Sequence, residues 1–224
     1  MKLEASLNIG RQPFKIISYD IALKLSDVGT ATFEVQASSK PSGIVIFEAG
    51  YTTGEYYSLF IGYVDKAVAK SDKHWTLACK EICNALSVEA HISLRRCYLA
   101  DVLKDINSST GLTVKSTDSS KQVSRFTSTG DGFYALRSIS RVFSLADFVW
   151  WQTKDGDVWC GTWSDSDYAQ LGNLDIDTAL FTKQTPASAT LPLFPALRPG
   201  MVVNQQRLTF VRHSKHNTVL RWKQ

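Results

Sequence analysis

No run in this chain approaches the roughly 18–20 consecutive apolar residues of a membrane-spanning helix, so no membrane anchor is expected. The opening MKLEASLNIGRQPF has no continuous apolar core behind its lysine, which argues against a secretory signal. Cysteine is sparse and wrongly spaced for zinc: Cys79, Cys83, Cys97 and Cys160 do not make a pair of close pairs. They read as free thiols of a chain made in a reducing cytoplasm. Charge of one sign is in short supply too. A net charge of +4 is too small to argue for a dedicated nucleic-acid binder, which would cluster its Lys and Arg.

Motifs of catalysis and ligation are missing as well. There is no Gly-x-Ser-x-Gly elbow, and Gly130-Asp131-Gly132 lacks the spacing and the Lys-Ser/Thr ending of a phosphate loop. Asp155-Gly156-Asp157 opens like a calcium loop, but Trp159, Cys160 and Gly161 stand where later ligands belong. His213 and His216 flank a turn without a third ligand nearby and read as a solvated polar turn. Asp165, Asp167, Asp175 and Asp177 read as a solvated acidic face. The expectation is a chain with no metal, no cofactor and no enzymatic activity.

What is present is strand pattern. Residues 1–14 read as an arm or edge strand. Ile16–Leu25, Thr30–Ala37, Gly43–Ala49, Tyr56–Ala67 and His74–Ile82 follow, punctuated by Asp27-Val28-Gly29, Lys40-Pro41-Ser42-Gly43 and Thr52-Thr53-Gly54. Ala31, Phe33, Val35 and Ala37 alternate with Thr32, Glu34 and Gln36, the mark of a half-buried strand. The chain's last stretch is also β. Arg198-Pro199-Gly200 makes a tight turn, and Arg207–His213 and Thr218–Trp222 make a hairpin around Ser214-Lys215-His216-Asn217. A lone hairpin is marginal in water, so its partner strands are expected near the N-terminus.

The texture between changes after about residue 88. Leu99, Val102, Leu103 and Ile106 fall on one helical face, and Gly111 closes that helix. A second helix begins after the N-cap Asp131, with Phe133, Leu136, Ile139, Ser140 and Phe143 on its apolar face. Asp147–Gln152 and Val158–Trp163 then form a hairpin around Asp155-Gly156. Trp150, Trp151, Trp159 and Trp163 load this ribbon, either as core or as a platform for sugar rings. Residues 164–190 read as polar and irregular, ending in the linker-like Thr185-Pro186-Ala187-Ser188-Ala189-Thr190. The fold class is mainly β with an α+β insert, in two β-barrel-like domains. The first is discontinuous, 1–88 plus 186–224, and the second, 89–185, carries two short helices and a hairpin.

Three places in this order resemble the tail-hub (baseplate hub) family of long-tailed bacteriophages, of late-control-protein type. Type VI secretion spike proteins share that body in their N-terminal part. They are Tyr98–Ile106 with Gly111-Leu112, Phe126–Phe143 followed by Asp155-Gly156 and Gly161, and Leu197-Arg198-Pro199-Gly200 with Arg207–His213. The resemblance implies a homotrimer whose six similar barrels form a ring, joining a hexameric tail tube to a three-fold spike or central fibre. The lumen would hold tape-measure protein and pass DNA as cargo. It implies a virion component at the tail tip, assembled in the host bacterial cytoplasm, with the tail tube or distal tail protein and a spike or fibre protein as neighbours. The chain is short for the family, so any spike or cell-wall enzyme is expected on another chain. Candidate subunit-interface residues are Tyr56, Tyr57 and Phe60, on an aromatic edge with Tyr51, and the arginines Arg95, Arg96, Arg137 and Arg141, since Arg suits interfaces. The alternative is a distal-tail or carbohydrate-binding adaptor module of a phage tail or cell surface.

Overall fold

The computed structural model describes residues 3–52 and 55–223, and its contacts divide the chain into two compact units, 1–81 with 172–224 and 82–171. The first unit opens with β1 (Leu3–Ile9), β2 (Gln12–Pro13), β3 (Lys15–Lys24), β4 (Thr30–Gln36), β5 (Ile44–Tyr51), β6 (Tyr56–Ser71) and β7 (His74–Glu81). Thr53 and Gly54 of the expected turn after β5 lie outside the described residues. The strands pair antiparallel in the order β3-β4-β7-β6-β5-β1-β2. Alternation decides the faces: Ala31, Phe33 and Val35 are buried while Thr30, Thr32 and Gln36 are exposed.

This sheet curls. A flat sheet would hold β3 and β5 about 19 Å apart, four strand spacings. Yet the rings of Tyr19 on β3 and Phe47 on β5 lie 4.6 Å apart, and Phe33 packs 5.3 Å from Phe47 and 6.1 Å from Phe60. Bulges at Ile16/Ser18, Phe47/Glu48 and Val64/Lys66 supply the bending. The curl stops short of the expected barrel, because no ladder joins β1 to β3. One backbone bond, Phe14 N–H to the Leu7 carbonyl at 2.9 Å, pins the base of the gap. The long β6 changes partners along its length. Tyr56–Tyr63 pairs with β5, and Gly62–Ser71 pairs with β7.

The second unit begins with a 3-10 turn, Ile82–Ser87, then β8 (Ile92–Tyr98), α1 (Leu99–Thr110), β9 (Val114–Lys115), β10 (Gln122–Ser128), α2 (Gly132–Val142), β11 (Phe148–Gln152), β12 (Val158–Thr162) and α3 (Asp167–Leu171). Helices α1 and α2 each start on a carboxylate. Asp101 accepts the Tyr98 N–H at 2.8 Å and Asp131 accepts the Tyr134 N–H at 2.8 Å, satisfying donors that a helix N-terminus leaves free. Gly111 takes the left-handed conformation, φ 71°, and its N–H closes α1 on Asn107. Leu99, Val102, Leu103 and Ile106 are buried as their spacing predicts; α2 buries Ala135, Leu136, Ser138 and Ile139. The sheets here are small, β8-β10 and β11-β12-β9, with β12 and β9 parallel. They do not form a barrel.

The chain returns as β13 (Asn173–Leu174), β14 (Lys183–Thr185), β15 (Ser188–Pro192), β16 (Val202–Val203), β17 (Gln206–Ser214) and β18 (Asn217–Trp222). β17 pairs antiparallel with β3, aligning Val211 with Leu23 and His213 with Ile21, and the sheet continues outward as β18, β15 and β14. The stretch 164–190 is therefore not irregular throughout: Lys183–Thr185 and Ser188–Pro192 pair as edge strands, with Pro186-Ala187 as their turn. Those pairings place residues 172–185 in the first unit, and the 3-10 turn, which contacts α2, places 82–88 in the second. The unit boundaries fall at Glu81 and Leu171 rather than at 88 and 185. Gly200, at φ 96°, completes the Arg198-Pro199-Gly200 turn, where the Met201 N–H reaches the Arg198 carbonyl at 3.3 Å.

Deleting residues 201–224 removes β17 and β18 and with them the fully buried Leu208, Val211 and Leu220, each worth about 1.5–3 kcal/mol of burial. The truncated chain is expected to lose the first unit's cooperative melting transition in calorimetry. A wild-type transition would refute the split organisation. Gly29→Ala is expected to cost about 1–3 kcal/mol in urea denaturation. Its Cβ would lie 2.5 Å from the Glu81 carboxylate, which accepts the Gly29 N–H at 2.6 Å.

Candidate assembly surfaces

Polar groups buried in the first unit tie the closing hairpin to the segment before it. His213 is 0% exposed, not part of a solvated turn. Its Nε2 lies 3.1 Å from the Leu197 carbonyl, which can only accept, so Nε2 carries the proton. Nδ1, 3.1 Å from Thr218 Oγ1, must then accept from that hydroxyl, and Thr218 Oγ1 in turn accepts the Phe194 N–H at 2.8 Å. One relay thus runs from Phe194 through Thr218 and His213 to Leu197. With both nitrogens engaged, His213 is no metal ligand, and His216 sits exposed in the turn. Burial, then the nearby Arg198 charge, pushes the imidazole down to about 3. The same segment reaches the rest of the sheet: Arg198 donates to the Leu59 carbonyl at 2.8 Å, and Tyr51 O–H donates to the Leu193 carbonyl at 2.8 Å. Arg198 thus meets β6 at Leu59, where β7 does not run beside it, and Leu193 meets the end of β5 at Tyr51.

The expected aromatic edge separates into three environments. Tyr56 is exposed and its hydroxyl donates to Glu4. Tyr57 is half-buried against the core, and Phe60, 1% exposed, belongs to the core itself. Phe60 is therefore unavailable to a neighbouring subunit. It follows the buried Leu59 directly, and Leu59 is the extra residue of a bulge on β6 opposite Phe47/Glu48, which upsets the strict alternation that would have turned Phe60 outward.

The arginines of the second unit are all exposed: Arg95 and Arg96 on β8, Arg137 and Arg141 on α2. None makes an ion pair among the described residues. Sequence reasoning missed a fifth. Arg125 on β10 stands directly opposite Arg95 in the antiparallel register. Like charges so paired repel, a cost that an acidic partner surface would relieve. Only the strand register reveals that pair.

The tryptophan ribbon is mostly interior. Trp151 is 7% exposed, with Trp159 stacked against it at 4.3 Å and Tyr168 at 4.8 Å. Trp150 is buried against Phe133 at 5.6 Å. Trp151 has no open ring face for a sugar. All four cysteines are free and buried, and burial raises the Cys79 and Cys160 thiols to about 12, so they are unreactive protonated groups. No cluster of three potential metal ligands occurs among the described residues.

No family model matches the sequence. An uncharacterised 58.7 kDa protein from the lys 3′ region of Haemophilus phage HP1 is 26% identical over 224 residues, 98% of this chain. The chain spans only 42% of that relative's length. Among solved structures, the 43 kDa tail protein of prophage MuSo2 from Shewanella oneidensis aligns with a TM-score of 0.75 at 10% identity, covering 100% of this chain and 97% of that one. A tail protein from Neisseria meningitidis MC58 aligns at 0.67 and 12% identity, covering 100% and 97%. The Escherichia coli c3393 protein, a type VI secretion component similar to the T4 tail proteins gp27 and gp5, aligns at 0.61 and 10% identity, covering 98% and 76%. The fold of this chain is the fold of those tail proteins.

The His213 relay gives a pH dependence. Below pH 6.5 the unfolded chain protonates this imidazole, while the folded chain resists until about pH 3. The unfolded state binds more protons in that window, so stability falls as pH drops through it, by up to about 1.4 kcal/mol per pH unit. Urea midpoints between pH 7.5 and 4.5 are expected to fall less steeply in His213→Gln than in the wild type. Equal slopes would mean that the ring is not held neutral.

Proposed function

We propose that this chain is the structural baseplate hub of a long-tailed phage. It acts by assembly and not by catalysis. The observation that carries the reading is the alignment of the whole chain, split sheet and insert together, with a prophage tail protein over nearly that protein's full length. Three copies, each with two β-rich units, supply the six positions that meet a hexameric tail tube on one side and a three-fold spike or central fibre on the other. The tail tube or distal tail protein, the tape-measure protein and the spike or fibre protein are its neighbours. DNA passes through the lumen as cargo. Its place is the tail tip of the virion, reached by assembly in the host bacterial cytoplasm.

In this reading Tyr56, Tyr57, Arg95, Arg96, Arg137 and Arg141 lie at subunit or neighbour contacts, and Arg125 joins them. The opposed Arg95 and Arg125 favour an acidic surface across the contact. Assembly covers free strand edges by contacts that close on themselves.

Mass photometry of the chain, alone and with its tube and spike neighbours, is expected to show a trimer. The double variant Arg95→Glu/Arg125→Glu is expected to remain folded and to weaken assembly at least tenfold, and rising salt to weaken the wild type. A monomer under every condition, tube protein included, would overturn the proposal.

A further inference from the structure

The unclosed gap between β1 and β3 has the features of a binding site. From the bond at Leu7 and Phe14 it opens toward Leu3 and Tyr19 into a groove of about 380 Å³. Leu3, Ala5, Ile17 and Tyr19 line it, with Lys15 and Lys215. Ile17, an isoleucine, is 40% exposed here. The bulge at Ile16/Ser18 turns this extra residue out of the sheet's alternation.

Backbone directions make the groove specific for a strand. The Leu7 carbonyl points across the gap to Phe14. Hydrogen-bonding direction alternates along a strand, so Leu3 and Ala5 share it and turn their N–H and C=O groups into the gap. On the far side, β17 pairs with β3 only from Asp20 onward, which leaves Lys15–Tyr19 without a strand on that edge among the described residues. Two strand edges thus face one another with no ladder between them.

Side chains add two further signals. Tyr19 is 6% exposed, yet its hydroxyl has no hydrogen-bond partner among the described residues. A buried hydroxyl left unpaired costs free energy, and a ligand oxygen would recover it. Burial raises this phenol to about 12, so it stays protonated and is available as a donor. Lys15 and Lys215 are exposed and make no ion pair among the described residues.

We propose that this gap receives one extended strand, of about five residues, from a partner protein, with an apolar side chain in the groove and an acidic residue at its end. The strand's backbone pairs with Leu3 and Ala5 on one side and the Lys15–Tyr19 edge on the other. One of its carbonyls accepts from Tyr19, and its carboxylate meets Lys15 and Lys215. Apolar pockets alone would also admit a fatty acid. The paired strand edges favour a peptide, because a lipid tail leaves them unsatisfied. This inference does not depend on ring assembly.

Fluorescently labelled, end-blocked hexapeptides alternating valine and threonine, ending in either two glutamates or two lysines, are titrated into the full chain by anisotropy. The glutamate peptide is expected to bind at least tenfold tighter and to slow amide exchange in Leu3–Leu7 and Lys15–Tyr19. Ala5→Pro, which removes a gap-facing N–H and leaves the β5 ladder intact, and Tyr19→Phe, which loses a hydroxyl unpartnered in the free chain, are both expected to keep the wild-type melting transition. Each is expected to weaken binding at least tenfold. Lys15→Glu/Lys215→Glu is expected to reverse the charge preference. Absent binding, equal binding of both peptides, or protection elsewhere would overturn the proposal. So would dodecanoate binding in this groove more tightly than the peptide and indifferent to Ala5→Pro.

Discussion

The ladder between β17 and β3 is the constraint on which the first unit depends. It joins positions 192 residues apart in sequence, as the paired hydrogen bonds of Arg212 to Asp20 mark. Closing a flexible loop of that length costs about 4–5 kcal/mol of chain entropy. Folded structure within the intervening residues lowers that cost, since a compact insert has little freedom left to lose. The ladder itself has a built-in check on register. A slip by one residue would turn Arg212 into the core and His213 out of it, stranding a charge in one place and an empty relay in the other. The Phe194–Thr218–His213–Leu197 relay therefore fixes the position of the closing hairpin as well as the path of the segment that precedes it.

One-sided burial decides which parts of the fold were legible. The strands of residues 16–82 and the two helices announce themselves because burial on one face leaves a period, two or 3.6, in the residues. Ala31, Phe33 and Val35 mark one such face, and Leu99, Val102, Leu103 and Ile106 another. Strand Lys183–Thr185 leaves no such trace, because all three residues are exposed at the sheet's edge. Its neighbour Ser188–Pro192 buries only Ala189 and Leu191, too short a signal beside Pro186 and three hydroxyl residues. Polar composition passed for a linker there because edge strands need little apolar surface.

The candidate surfaces were legible in residue type and not in geometry. His213 stands in phase with the buried Val211, a signal that it points inward, but two nearby histidines in a polar context suggested solvent. Phe60 looked like an edge aromatic because neighbouring tyrosines are, and a bulge decided otherwise. Arg125 was inconspicuous alone. Its meaning comes from Arg95 across the ladder, a contact that depends on a register no single segment encodes. The gap between β1 and β3 is of the same kind, since it is a property of strands that fail to meet.

The change of partners along β6 has a mechanical meaning. Its first half is bonded to β5 and its second to β7, with an overlap only near Gly62 and Tyr63. Antiparallel ladder bonds lie perpendicular to the strand. A pull along β6 therefore strains each ladder sideways, with many bonds resisting together, whereas a pull across it would open them one after another. Tension entering at one end of this strand leaves through a different neighbour at the other. β6 thus works as a tie that carries axial force across the sheet, stiff along its own axis and compliant across it.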